Sequence, residues 1–371
     1  MALTLTLLIG LLVAFANGAN DNFKGVATLF GSGTTSYRRA LLWASATTAL
    51  GSLAALLLAR ELVTAFEGRG LVPDSVVADA GFPLAVASAA GATVLAATRF
   101  GFPVSTTHAL IGGLVGAGLV RSAEGIDLGA LGSGFLLPLL ASPLIALLLA
   151  LLVYPVAWRL RERLGVTPRT CVCVGGEVVA VLDGRLSAAQ AFATGRVTRV
   201  TVADQIRCDV KYEGRMVGVS ANALVTGAHF VSAGAVSFAR GVNDTPKIAA
   251  LLLAGSLLPP AGAVTLVGAA ILVGGLVYAK RVAETMAHGI TELSPGQGLT
   301  ANLVTAALVI GASRLGMPVS TTHVSCGALF GIGASSGRAH WETIAQIGLA
   351  WVITLPVAAA LGAGFALLSP I

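Results

Sequence analysis

Two hydroxyl-rich sequences of nearly the same composition lie far apart in the chain. Residues 99–108 read Arg-Phe-Gly-Phe-Pro-Val-Ser-Thr-Thr-His, and residues 314–323 read Arg-Leu-Gly-Met-Pro-Val-Ser-Thr-Thr-His. A proline followed by Ser and Thr is typical of a helix start, where free N–H groups and roughly half a positive charge point outwards. Neutral N–H and O–H donors at such a point suit a tetrahedral anion that must also be released. The side chains that we expect to bind it are Ser105, Thr106, Thr107, Ser320, Thr321 and Thr322.

A second duplicated motif lies upstream of each hydroxyl sequence. Residues 15–24 and 238–247 share the pattern Phe-Ala-x-Gly-x-Asn-Asp-x-x-Lys. A carboxylate inside an apolar segment is costly and usually marks a functional site. The predicted substrate-binding residues of this motif are Asn20, Asp21, Asn243 and Asp244, whose oxygens are also candidate Na⁺ ligands.

An aspartate beside an anion needs a compensating cation, and the sequence offers three. Sodium and a proton are two choices, and either would serve as coupling ion without any organic cofactor. Lys24 and Lys247 are the third, since each follows its Asp by three residues, the spacing of a helix ion pair. They either only neutralise the carboxylates or hold the place of a cation beside the substrate. His108 and His323 either relay protons or only pack through hydrogen bonds.

The composition indicates that these motifs lie in a membrane. The 371 residues have a mean hydropathy of +0.87 and 11% charged residues, against roughly 25% in soluble domains. Ten of the 23 Lys and Arg residues fall within 159–215, so the rest of the chain cannot solvate a globule. The net charge of +6 reflects basic loops, and nothing in its distribution suggests nucleic acid.

The apolar segments fall into two halves around one polar insert. The predicted domains are a first membrane repeat over 1–158, an insert over 159–216 and a second membrane repeat over 217–371. A polar break is expected in the first apolar segment at 17–24, and two stretches are expected within 217–258. Duplicated halves with polar breaks are typical of secondary transporters. A hydrolase is disfavoured because the Gly-x-Ser-x-Gly elbow is absent and the hydroxyl motif is duplicated.

Lysine and arginine distribution predicts the orientation of the chain. The basic loops should be cytoplasmic, which places both termini outside, the insert inside and the two halves inverted relative to each other. Within the insert, alternating apolar residues predict strands over 172–182, 195–202 and 206–219. The three cysteines there (Cys171, Cys173 and Cys208) fall short of a structural zinc set, so we expect reduced thiols.

The four motifs resemble those of the inorganic phosphate transporter family, the sodium–phosphate and proton–phosphate symporters. The residues that carry the resemblance are Gly18–Asp21, Gly241–Asp244, Pro103–His108 and Pro318–His323. The resemblance implies an all-α polytopic membrane protein with two inverted repeats, broken helices and re-entrant hydroxyl loops. It also implies about 10–12 helical elements, a homodimer in the cytoplasmic (inner) membrane, and phosphate held by the Ser/Thr and Asn-Asp motifs with sodium close by.

One departure bears on the coupling ion and the substrate. The family usually has a second Asn where this chain has Lys24 and Lys247. Two ammonium groups could displace sodium, so the hypothesis is import of phosphate by alternating access, coupled to protons or altered in coupling. An aspartate bound to a lysine would also repel sulfate less. A sulfate permease of the same fold is therefore the alternative function, and an anion channel is the more distant one.

Overall fold

Helices account for most of the chain. The structure, a computed structural model, describes residues 2–181, 193–204, 206–207, 216–253 and 258–369. The helices before the insert are α1 (Ala2–Asp21), α2 (Ala27–Gly31), α3 (Tyr37–Leu58), α4 (Arg60–Phe66), α5 (Asp74–Val77), α6 (Gly81–Arg99), α7 (Thr106–Arg121) and α8 (Leu137–Arg163). Those after it are α9 (Ala221–Leu253), α10 (Pro260–Tyr278), α11 (Lys280–Glu284), α12 (Pro295–Arg314), α13 (Thr321–Ser336) and α14 (Trp341–Leu368). Short 3₁₀ and π segments lie at Lys24–Val26, Ala130–Leu136 and Thr285–Gly289.

The described part of the chain contains six helical segments long and apolar enough to span a membrane. They are Thr4–Gly31, Tyr37–Leu58, Gly81–Arg99, Ala130–Arg163, Pro260–Tyr278 and Trp341–Leu368. Helices α7, α9 and α13, which carry most of the predicted site, are not among them. At 16 residues, α7 and α13 are short for a span, and α9 contains three charged residues. The all-α membrane fold predicted from the sequence is confirmed.

The helix that follows the hydroxyl sequence in each half, α7 or α13, packs on the last helix of the other half, α14 or α8. Gly112 and Gly116 of α7 face α14, and a Cβ added at Gly116 would lie 1.9 Å from the carbonyl oxygen of Ala359. In the matching contact, Gly331 of α13 faces α8, where an added Cβ would lie 2.5 Å from the Leu147 carbonyl oxygen. These positions need glycine because the two backbones touch.

The first helix of each half also packs closely on a helix of the other half. Gly18 of α1 contacts α10, with the Ile271 carbonyl oxygen 1.9 Å from an added Cβ. Its counterpart Gly241 of α9 contacts α3, with the Thr48 carbonyl oxygen at 2.4 Å. The two repeats therefore interlock, and they form one compact unit of Met1–Tyr154 with His229–Ile371.

The polar break expected in each half is present in only one. Helix α1 ends at Asp21, and a turn at Asn22 and Phe23 leads into the 3₁₀ segment. Helix α9 instead runs without interruption through the matching residues and past Pro246, so the prediction of two stretches within 217–258 is wrong. The Arg240–Asp244 ion pair, at the (i, i+4) spacing, supports the continuous helix.

The insert belongs to a second compact unit, Pro155–Ala228, and contains a three-stranded antiparallel sheet. The strands are β1 (Thr170–Val181), β2 (Ala193–Asp204) and β3 (Met216–Ser220), in the order β2-β1-β3. Two of the three predicted strands are thereby confirmed, whereas Ile206 and Arg207 are helical and 208–215 lies outside the described residues. Cys171 is a free, buried thiol. Cys173 is disulfide-bonded, so the prediction of a reduced thiol is wrong there.

Candidate functional site

Two serines begin the helices that follow the hydroxyl loops. The Ser105 side chain caps α7 by accepting from the His108 backbone N–H at 3.0 Å. The Ser320 side chain caps α13 by accepting from the His323 backbone N–H at 3.2 Å. An N-cap oxygen satisfies one of the free N–H groups of a helix start. The structure therefore uses both serine oxygens as acceptors within their own loops.

The threonines that follow link the two halves. Thr106 Oγ1 donates to Asp21 Oδ2 at 3.3 Å, and Thr321 Oγ1 donates to Asp244 Oδ2 at 3.5 Å. The next threonine of each loop reaches the other loop. Thr107 Oγ1 donates to the Val319 carbonyl oxygen at 3.4 Å, and Thr322 Oγ1 donates to the Val104 carbonyl oxygen at 2.9 Å. The two hydroxyl loops therefore meet at one place, although the residues that join them are 212 and 218 positions apart in the sequence.

The asparagines of the Asn-Asp motifs hold the loops against the helices. Asn20 Nδ2 donates to Thr98 Oγ1 at 2.8 Å and to the Phe102 carbonyl oxygen at 3.0 Å. In the second half, Asn243 Nδ2 donates to the Val319 carbonyl oxygen at 3.1 Å, and its Oδ1 accepts from Ser313 Oγ at 3.1 Å. Eight of the ten predicted substrate-binding residues therefore belong to one hydrogen-bonded cluster, Ser105 and Ser320 cap the helices beside it, and each of the ten is at most 4% exposed.

Lys24 lies among oxygens of both halves. Its Nζ donates to Asn20 Oδ1 at 2.8 Å, to the Val104 carbonyl oxygen at 2.9 Å and to Thr322 Oγ1 at 2.6 Å. It also forms the ion pair with Asp21 that the spacing predicts. The oxygens of Asn20 and Asp21, proposed from the sequence as sodium ligands, thus bind an ammonium group.

Lys247 occupies the matching position but has a different partner set. Its Nζ donates to Thr107 Oγ1 at 2.9 Å and to the Val319 carbonyl oxygen at 2.6 Å. These are the counterparts of the threonine and carbonyl that bind Lys24. Among the described residues, Lys247 has no carboxylate within ion-pair distance, whereas Asp244 lies 3.6 Å from the Nε of Arg240.

Arg240 is a site residue that the sequence interpretation missed. Its guanidinium donates to Asn17 Oδ1 at 2.7 Å, to Asn22 Oδ1 at 3.0 Å and to Thr48 Oγ1 at 3.3 Å. Asn17 itself donates to Asp21 Oδ2 at 2.9 Å and to Asp244 Oδ2 at 3.3 Å. Arg240 and Asn17 occupy the same variable position of the duplicated motif, and an arginine in an apolar segment was the signal that could have identified it.

The charges of the cluster do not cancel. Three cationic side chains (Lys24, Arg240 and Lys247) face two carboxylates (Asp21 and Asp244), and none of the five is more than 4% exposed. With every group ionised, the cluster carries one excess positive charge. The prediction that neutral donors alone form the site is therefore incomplete, because three cationic side chains also belong to it. Because buried charge is unfavourable unless it is paired, this excess favours a bound anion.

His108 and His323 face each other next to this cluster. Their ring centroids lie 4.3 Å apart, and His323 stacks on Trp351 at 3.9 Å. His108 Nδ1 and His323 Nε2 have no hydrogen-bond partner among the described residues. The rings therefore pack together, and each keeps one nitrogen free to take or give a proton.

Comparison with known proteins identifies the family. A family model described as the Phosphate transporter family matches residues 17–362. The chain belongs to this family. A protein of Pyrococcus horikoshii named "Putative phosphate permease" is 29% identical over 95% of this chain and 94% of its own length. The Arabidopsis thaliana protein "Inorganic phosphate transporter 2-1, chloroplastic" is 28% identical over 96% of this chain and 70% of its own length.

A solved structure shares the fold of this phosphate transporter family member. The structure titled "The sodium-dependent phosphate transporter" superposes with a TM-score of 0.74 at 23% identity, covering 99% of this chain and 98% of the other. The family match includes every residue of the buried cluster. Relatives and family are transporters and permeases, and the chain is accordingly a membrane transport protein rather than an enzyme.

Proposed function

We propose that this protein imports inorganic phosphate across the cytoplasmic membrane by symport with a cation, a proton or sodium. The observation that carries the proposal is the buried cluster with one excess positive charge, where hydroxyl, amide, ammonium and guanidinium donors of both halves meet. Such donors bind a tetrahedral oxyanion through several short hydrogen bonds at once. The names of the relatives point to the same substrate.

The burial of the cluster supports a carrier with alternating access over a channel. A channel needs a continuous path along which ions bind weakly at successive sites. Here the ten predicted substrate-binding residues are at most 4% exposed, so these side chains are shielded from solvent and line no open path. An interlocked pair of repeats with the site between them is the arrangement in which one part of a transporter rocks against another.

Sulfate remains the alternative substrate, and one contact favours it. Asp21 is engaged by the Lys24 ammonium, which weakens its repulsion of an anion that has no proton to donate. Monohydrogen phosphate, in contrast, can donate its P–OH to an acceptor oxygen. Asp244 is paired with Arg240 at 3.6 Å and has no lysine partner among the described residues; its second oxygen is an acceptor for that proton and so favours phosphate.

The placement of the chain in the membrane is also a proposal. The distribution of Lys and Arg favours a cytoplasmic insert over 159–216 and both termini outside. The resemblance to the family further favours a homodimer. Labelling of single cysteines introduced at exposed Arg38 and Arg69 checks the orientation, because a membrane-impermeant reagent should reach only the second in intact cells.

Uptake of labelled phosphate and sulfate into proteoliposomes tests the function. Each anion is offered with an imposed sodium gradient, with an imposed proton gradient, and with neither. Accumulation of phosphate above its outside concentration, driven by one of the gradients, is the expected result. Equilibration without accumulation would indicate a channel, and sulfate uptake that phosphate does not compete would replace phosphate by the alternative.

A further inference from the structure

We infer that Lys24 and Lys247 act as tethered cations, so that oxyanion binding needs no sodium. The inference rests on the proposed function and deepens it.

The shell around Lys24 is that of a bound monovalent cation. An ammonium group has three N–H donors, yet four oxygens surround this one: a carboxylate, an amide, a carbonyl and a hydroxyl oxygen. Carboxylate, carbonyl, amide and hydroxyl oxygens are the ligands that hard cations prefer. The site therefore offers more oxygens than hydrogen bonding to one amine requires. Two of them come from the hydroxyl loops: Val104 O from the loop of the same half and Thr322 Oγ1 from the loop of the other half.

The shell around Lys247 repeats part of that arrangement. Its hydroxyl and carbonyl ligands, Thr107 Oγ1 and Val319 O, correspond by repeat position to Thr322 Oγ1 and Val104 O around Lys24. A lysine that merely neutralised its neighbouring aspartate would form an ion pair in each half. Lys247 forms none with Asp244 within the described residues, although the sequence spacing is the same. Its position is thus set by the loop oxygens, as expected for a group in a cation position.

The charge count agrees with this role. With all five groups ionised, Lys24, Arg240 and Lys247 against Asp21 and Asp244 leave one positive charge in the buried cluster. The two ammonium groups therefore supply the positive charge that a buried anion needs, and no sodium ion is required to compensate it.

Lysine variants distinguish a tethered cation from a structural lysine. In the K24N/K247N double variant the shorter amide leaves room for a mobile cation within the same oxygens, so we expect transport to become dependent on sodium. In the K24M/K247M double variant the methionine fills the space without charge, so we expect uptake to be lost at every sodium concentration. K280N, at an exposed lysine, is the matched control and should transport like the wild type.

The assay is uptake into proteoliposomes from sodium-free buffer up to about 150 mM sodium, with choline keeping the ionic strength constant. We expect the wild-type rate to be flat across the series and the Asn variant to rise about tenfold and saturate, a change of about 1.4 kcal/mol in sodium-linked free energy. A saturable sodium requirement of the wild type overturns the inference. So does a folded Asn variant, monodisperse on gel filtration, that transports at the wild-type rate without sodium.

Absence of phosphate uptake under every gradient would instead contradict the proposed function, and the sodium series would then be measured with sulfate as the substrate.

Discussion

Replacing the two matched threonines by valine should destabilise the protein unequally. In T322V, Lys24 keeps Asn20, Asp21 and Val104 as acceptors, one for each of its three N–H donors. The loss should be about 1 kcal/mol, the value of an ordinary hydrogen bond. In T107V, Lys247 keeps Val319 O as its remaining acceptor, and a buried ammonium group with unsatisfied donors should cost about 2–3 kcal/mol.

Thermal unfolding in detergent without added anion measures this difference. The melting temperature of T107V should fall at least twice as far as that of T322V. T305V is the matched control, because Thr305 is equally buried but donates only within its own helix, to Ala301 O at 2.8 Å. Added phosphate should raise the melting temperature of T107V more than that of the wild type, since an anion oxygen can replace the missing hydroxyl at Lys247. Equal losses in the two variants, or a larger loss in T322V, would refute the assignment of partners.

Three further changes test other parts of the structure. G116V should prevent folding to a monodisperse protein on gel filtration, because any Cβ there meets the Ala359 carbonyl oxygen at 1.9 Å; G364A, with nothing within 4 Å, should behave like the wild type. R240M should lower stability by about 3–5 kcal/mol by leaving Asp244 and three polar partners without the guanidinium, whereas R338M, at an exposed arginine, should change the melting temperature little. Replacing 166–216 by a flexible linker should preserve phosphate uptake, because the buried cluster lies wholly in the other compact unit; loss of uptake by a folded deletion variant would assign the insert a role in transport.

Features that depend on short sequence patterns were predictable. The Pro-Val-Ser-Thr-Thr sequence specifies a capped helix start by itself, and both Ser105 and Ser320 form that cap. The Asp21–Lys24 ion pair follows from its spacing. The glycines of α7 and α13 recur every four residues, a spacing that indicates close helix packing, and backbone carbonyls of the opposite helices lie against them.

Features that depend on the other half of the chain were not predictable. Arg240 joins the cluster through Asn17, Asn22 and Thr48, and sequence spacing cannot reveal partners more than 190 positions away. The same spacing gives an ion pair at Lys24 but not at Lys247, because long-range oxygens compete for the second ammonium. The identical motif likewise ends α1 at Asp21 and continues through α9, since packing rather than motif decides where a helix stops.

The exchange of helices between the repeats also has a consequence for biosynthesis. Synthesis proceeds from the N-terminus, and α7 emerges long before α14, the last helix, whose backbone covers Gly112 and Gly116. Helix α1 is likewise synthesised well before α10, whose backbone covers Gly18. The newly made first repeat therefore lacks its closest packing partners until the second has been inserted. Shielding of these glycine surfaces by lipid or by an insertion factor must bridge that interval, and a chain truncated before α14 should be recognised as unfinished and degraded.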